Sequence, residues 1–201
     1  MDFAEITKTL EKNGFKVSCF ETKEAAAEYL NGRIDGKSVA FGGSVTVKEM
    51  GLYESLGKHN KVVWHWEVPE GKTGSEVLLE AMTTDVYIAS ANAIAKTGEI
   101  INIDGRGNRI SSLVFGHEKV FYVVGRNKIA EDFHSAVERA RNIACPLNSK
   151  RLSRRTPCAA EGRRCYDCSS PERICRTMTV TWRPSMGLEA EIVLIDEDLG
   201  F

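Results

Sequence analysis

Four cysteines, Cys158, Cys165, Cys168 and Cys175, stand at the spacing C-x6-C-x2-C-x6-C in a stretch that has almost no apolar residues from which to build a core. Four thiolates satisfy a tetrahedral zinc ion or a [4Fe-4S] cluster, and a C-x2-C pair serves either, because neighbouring turn residues aim two sulfurs at one centre. Zinc ribbons ordinarily carry two such pairs and this chain has one, so the spacing signals a metal centre without naming the metal. Eight basic residues (Lys150, Arg151, Arg154, Arg155, Arg163, Arg164, Arg173, Arg176) and three acidic ones (Glu161, Asp167, Glu172) surround the quartet. That balance offsets the charge of four thiolates and raises a cluster's reduction potential. Two disulfides or free surface thiols are the alternative, disfavoured in a reducing compartment.

Other chemistry-bearing residues are sparser. Phe41-Gly-Gly-Ser-Val-Thr46 sits where a strand runs into a helix, so its free amides, glycines and two hydroxyls can cradle an anion or phosphate, or else simply make a tight turn with a capped helix. Thr46 and Glu49 have the spacing of a capping box. Gly71-Lys72-Thr73 lacks the upstream glycine of a nucleotide-binding loop, because Trp66 holds that place. Gly105-x-Gly107 is followed by Ile110 where a dinucleotide fingerprint requires glycine. His59, His65, His117 and His134 show no ligand spacing, with a reservation for His65 between two tryptophans. Cys19 reads as a core residue, and Cys145, close to the quartet in sequence, as a packed residue or else a spare thiol near the site.

These residues need a scaffold, and 201 residues suffice for one α/β domain with a small appendage. The apolar periods predict helices over residues 3–12, 22–32, 46–56, 75–82 and 129–141, and strands over 15–20, 38–41, 62–66, 86–89, 120–124, 177–182 and 191–195. Residues 99–102 and 112–115 read as paired strands around the Asp104-Gly105 turn. Alternating strands and helices imply a doubly wound, mostly parallel sheet covered on both faces. Cys145-Pro146 reads as a helix break, after which residues 146–176 form a Cys/Arg-rich metal-binding insertion within a single domain spanning 1–201.

Lys plus Arg number 27 against 28 Asp plus Glu, which gives no reason to expect nucleic acid or an anionic membrane as partner. The amino terminus lacks a basic segment followed by an apolar one, and no run is long enough to span a bilayer. The expected location is the cytoplasm.

The segments FGGSVTVKEMGL, SANAIAKTGEIINIDGRGNRISSLVFG, VVGRNKI, ARNIACPLNSKRL and EIVLIDEDLGF together resemble the LUD-domain family, the lactate utilization proteins of LutC/YkgG type, from about residue 5 to the end. A cysteine-rich subset is similar in carrying TPC…C-x2-C-SPERIC. The resemblance implies the fold of glucosamine-6-phosphate deaminase, ribose-5-phosphate isomerase and CoA transferases (the NagB/RpiA/CoA transferase-like fold). It implies a ligand pocket built from Gly42, Gly43, Ser44 and Thr46, then Asn92, Thr97, Asn102 and Asn108 with Glu99 and Asp104, then Asn127 and Lys128.

From this follow three readings. The first is an accessory subunit of L-lactate or related 2-hydroxy acid oxidation, with a [4Fe-4S] cluster or zinc on the cysteine quartet and a small anionic molecule in the pocket. Its partners would be the iron–sulfur proteins of the lactate oxidation system, with homo-oligomer formation left open. The second is a sugar-phosphate or CoA-type isomerase or transferase in which Glu99 or Asp104 is the general base and the metal is structural. The third is a zinc-stabilised module whose arginine-rich finger docks an acidic partner.

Overall fold

The computed structural model describes all residues from Met1 to Phe201. Its centre is a six-stranded, all-parallel sheet in the order β1 (Lys16–Phe20), β10 (Glu189–Ile195), β7 (Lys119–Gly125), β4 (Val86–Ala89), β2 (Ser38–Phe41), β3 (Lys61–Trp64). Two-residue alternation sends successive side chains of one strand to opposite faces. Val120, Tyr122 and Val124 join one buried cluster with Ile192 and Leu194, whereas Phe121 and Val123 join the other with Val193 and Ile195. Both faces are therefore apolar, as a sheet covered by helices on both sides requires.

The first cluster is roofed by α1 (Ala4–Lys12) and α5 (Gly74–Ala81), which contribute Ile6, Leu10, Val77 and Ala81. The second is roofed by α2 (Lys23–Arg33), α3 (Val45–Glu49) and α4 (Leu52–Leu56), through Ala26, Leu30, Val47, Leu52 and Leu56. The doubly wound, mostly parallel α/β architecture expected from the sequence is present. No helix is long and apolar enough to cross a membrane.

Three local readings are corrected. The helix expected over 46–56 is two helices, because Gly51 takes φ +60° between them, and its cap is Ser44, whose side chain accepts from the Val47 amide. Thr46 lies inside the first turn, with its hydroxyl free for other work.

The paired strands expected at 99–102 and 112–115 do not form. β6 (Ile100–Asp104) pairs antiparallel with β5 (Ala93–Ala95) and β9 (Thr177–Thr181), and with β8 (Ile129–Ala130) these make a separate four-stranded sheet, β8-β5-β6-β9. Residues Asn108–Val114 are instead helix α6. Asp104 explains the helix: its Oδ2 accepts from the amides of Arg109 and Ile110, a cap supplied from outside the helix.

Finally, Pro146 does not break the chain's last long helix. α7 (Phe133–Arg139) continues through a π-turn at Ala140–Ala144 into α8 (Cys145–Arg151), where Pro146 sits in the first turn. The wider π-turn spares the carbonyl that a proline ring would strike in a regular helix. Irregular structure begins only after Leu152, interrupted by the short α9 (Pro157–Glu161).

Candidate functional site

The carboxyl ends of the parallel strands open into a cleft of about 430 Å³. β2 delivers Gly43 and Ser44, β3 delivers His65 and Trp66, β4 delivers Ser90, Ala91 and Asn92, and the turn after β7 delivers Lys128. This is the end of an open α/β sheet at which ligands bind. The opposite wall comes from the β6–α6 turn and from α8, with Asp104, Arg106, Asn108, Arg109, Arg151 and Arg154.

The charge of the cleft is one-sided. Five basic side chains (Arg106, Arg109, Lys128, Arg151, Arg154) face one acidic one, Asp104. Asp104 is already spent: Oδ1 accepts from the amides of Gly105 and Arg106, and Oδ2 from those of Arg109 and Ile110. Arg109 is an internal brace that donates to the Ser90 and Ile103 carbonyls and to the Asn92 and Asn102 side chains at 2.5–3.3 Å. Arg151 lies over the Trp66 ring at 4.8 Å. Arg106 and Arg154 make no side-chain hydrogen bond or ion pair within the chain and are exposed, so their guanidinium groups remain available to an anion entering the cleft.

Behind the cleft lies a second, small cavity of about 10 Å³, which is room for about one water. Cys158, Cys165, Cys168 and Cys175 all line it, and so does Cys145. Cys145 and Ile174 line both spaces, so the two cavities share a wall. None of the six cysteines forms a disulfide.

The sulfurs face a common space without converging on one coordination point, since no three His, Cys, Asp or Glu groups stand close enough to grip an ion as placed. They are nevertheless served as thiolates are. Arg173 donates to Cys175 Sγ at 3.2 Å, Arg141 to Cys165 Sγ at 3.7 Å, and the Asp167 amide to Cys165 Sγ at 3.3 Å. Cys175 is held below the ordinary thiol range, first by the Cys145 thiol beside it and then by the Arg173 guanidinium. Cys145 is held up, first by serving Cys175 and then by burial.

The LUD-domain pattern matches residues 3–195. The chain belongs to the LUD-domain family. Among solved structures, a DUF162-family protein from Deinococcus radiodurans superposes on 97% of this LUD-domain chain and 99% of its own, with a TM-score of 0.54 at 14% identity. That likeness shows the shared fold. Ribose 5-phosphate isomerase A from Neisseria gonorrhoeae matches 55% of this chain and 54% of its own, with a TM-score of 0.34 at 19% identity, too slight to carry an argument. No curated protein matches.

Of the residues singled out in the sequence of this LUD domain, Gly43, Ser44, Asn92, Asp104, Asn108 and Lys128 line the cleft. Thr46 and Asn102 stand behind its wall, holding Lys128 and Arg109 respectively. Gly42 is not in the lining. A Cβ there would stand 2.9 Å from Ala89 Cβ and 3.0 Å from the Tyr87 hydroxyl, so the glycine permits close strand packing. Asn127 ties down the carboxyl-terminal segment by accepting from the Leu199 amide and donating to the Gly200 carbonyl.

Thr97 and Glu99 hydrogen-bond one another at the β5–β6 turn, outside the cleft, and Gly98 between them packs on Asn13 and Thr9 of the α1 side. Glu99 is thus a turn residue, and Asp104 has no free oxygen for a base. The sequence reading missed Arg109, which no spacing rule marks. Cys145 is packed, as expected, and also stands beside the quartet, lining both cavities.

Lys128 is the most unusual group in the cleft. It is 3% exposed, and its Nζ donates to Thr46 Oγ1 at 2.8 Å and Ser90 Oγ at 2.9 Å, with no carboxylate in contact. Burial, reinforced by Arg139 and Arg109, pushes its ammonium down to about 7 from an ordinary 10.5. Between those values the unfolded chain holds a proton that the folded chain does not, so stability rises with pH across that window. Below about 7 the folded protein must bury the charge. Lys128→Met is therefore expected to raise the melting temperature by about 5 °C at acidic pH, a gain that shrinks to nothing in strongly alkaline solution. Melting curves across the pH range check this, and a variant less stable than the parent at acidic pH would contradict it.

Proposed function

We propose that this LUD domain is a lactate utilization protein of LutC/YkgG type, of its cysteine-rich subset. It would act as an accessory subunit of L-lactate or related 2-hydroxy acid oxidation, binding a small carboxylate in the cleft beside an inorganic centre held by cysteine. The observation that carries the reading is the shared wall: five cysteines line a cavity whose Cys145 and Ile174 also line a cleft with two unpaired arginines, Arg106 and Arg154.

The residue types suit a thiolate-bound metal, and the sulfurs would draw together around it, since as placed no three of them grip one point. Cys158, Cys165, Cys168 and Cys175 supply four sulfurs, and Arg173, Arg141 and the Asp167 amide supply the hydrogen bonds that steady thiolates and tune a cluster's potential. A [4Fe-4S] cluster there would accept or pass single electrons, and zinc would only brace the loop. The protein's own part is binding: Arg106 and Arg154 would take the carboxylate, while Trp66, Leu78 and Ile174 exclude water from the rest of the ligand. Partner iron–sulfur proteins would approach on the cysteine side. The isomerase or transferase reading is weaker, because Glu99 lies outside the cleft and Asp104 is fully engaged with backbone amides.

Calorimetric titration tests the binding claim. Lactate and pyruvate are expected to bind at least about tenfold more tightly than uncharged lactamide, a difference of roughly 1.4 kcal/mol. Arg106→Glu with Arg154→Glu should abolish the preference. Equal binding of lactamide, or tighter binding of a sugar phosphate, would overturn it.

A further inference from the structure

A cleft that takes a carboxylate does not need a buried amine with no carboxylate of its own. Lys128 stands out on that ground. Its side chain reaches the cleft wall from the turn after β7, between the hydroxyls of Thr46 and Ser90. The other positive side chains near it, Arg109 and Arg139, are fixed by neutral acceptors: Arg109 by loop carbonyls and amide side chains, Arg139 by the carbonyls of Asn127 and Asn92 at 2.7 and 2.6 Å. Glu49, the nearest acid, accepts instead from the Gly200 amide at 2.8 Å.

Lysines become nucleophiles in this kind of setting, where desolvation and neighbouring cations disfavour the ammonium form. No other side chain of the cleft offers comparable chemistry. His65 is half-buried against Trp66 and is also pushed down, by burial first and Arg106 second, but an imidazole forms no stable adduct with a carbonyl.

We infer that the Lys128 amine is a nucleophile that adds to the carbonyl carbon of a 2-oxo acid or small aldehyde acid bound in the cleft, giving an imine. The lone pair of Nζ forms the new C–N bond, and the carbonyl oxygen takes up protons and leaves as water, so the step needs neither oxidant nor reductant. The Ser90 hydroxyl, bonded to Nζ and lining the cleft, is placed to relay protons from nitrogen to oxygen, while Thr46, whose hydroxyl donates to the Leu199 carbonyl, holds Nζ from behind. The substrate's carboxylate would lie toward Arg106 and Arg154 at the mouth. The inference rests on the carboxylate-binding reading above and adds that the ligand carries a keto or aldehyde carbon next to its carboxylate.

Borohydride trapping tests it. The full chain is incubated with pyruvate or glyoxylate at neutral pH, reduced with borohydride, digested and mapped by mass spectrometry, with binding followed in parallel by calorimetry. The expected result is a reduced adduct on Lys128 that forms about a hundredfold faster than on any other lysine, because the ordinary lysines are almost wholly protonated at that pH. The adduct should vanish in Lys128→Met, whose folding is checked by circular dichroism, and slow in Ser90→Ala. Calorimetric binding without an adduct on Lys128, or labelling spread evenly over surface lysines, would overturn the nucleophile and leave the carboxylate site standing. Neither binding nor adduct would overturn both.

Discussion

Arg109→Met is expected to lower the melting temperature by about 10 °C or more and to close or distort the cleft. Arg109 holds four acceptors from two segments: the Ser90 carbonyl and Asn92 side chain after β4, and the Asn102 side chain and Ile103 carbonyl on β6, with Asp104 beside it at 3.9 Å. Asn102 is buried and Asn92 half-buried, and water cannot easily replace what the guanidinium supplies. Each buried acceptor left unpaired costs roughly 1–3 kcal/mol, and even with partial rescue the total reaches several kcal/mol. A chain of this length loses about 2–4 °C for each kcal/mol. Differential scanning calorimetry measures it. A drop of less than about 2 °C would mean that the acceptors find other donors and that Arg109 does not brace the site.

The second large effect concerns the cysteine arm. None of the three buried apolar clusters includes a residue between Leu152 and Arg176, so the arm has no core of its own. Within the chain it is tied by polar contacts such as Arg155 to Glu172 at 2.6 Å and the donations of Arg173 and Arg176 to the carbonyls of Cys168 and Pro171. Such ties at the surface contribute little, and a bound metal is the usual staple for a segment of this kind. If the proposed cysteine-held metal staples the arm, Cys165→Ser with Cys168→Ser is expected to lower the metal content of the purified protein and speed tryptic cleavage at Arg163 and Arg164 by about tenfold or more, the consequence of losing roughly 1.4 kcal/mol of local stability. The parallel sheet, whose core lies elsewhere, should melt as before. Unchanged metal content and unchanged cleavage would contradict the staple.

Much of the scaffold was legible because buried parallel strands are apolar without interruption, as in Ile192–Ile195 and Val120–Val124, and because helices between them carry their own stop signals, such as Gly14 after α1. Helix α6 was not. Its Ser-Ser-Leu-Val-Phe run suits a strand, and the cap that makes it a helix is Asp104, outside any local capping pattern. Pro146 misled for a similar reason, since only the π-turn before it makes room for the ring. The cysteine quartet could be read from spacing alone, whereas Cys145 could be placed only once α8 was seen to turn it toward both cavities. Lys128 gave no signal beyond the resemblance, because burial without a counter-ion is a property of the fold.

The proposal that an iron–sulfur cluster on the cysteines stands against the ligand in the arginine-lined cleft is tested most directly by one optical titration. Protein purified without oxygen is scanned in the visible while lactate or pyruvate is added. The expected result is a broad iron–sulfur absorbance that shifts as the ligand saturates the cleft. A spectrum without such absorbance, or one untouched by a ligand that calorimetry shows to be bound, would contradict it.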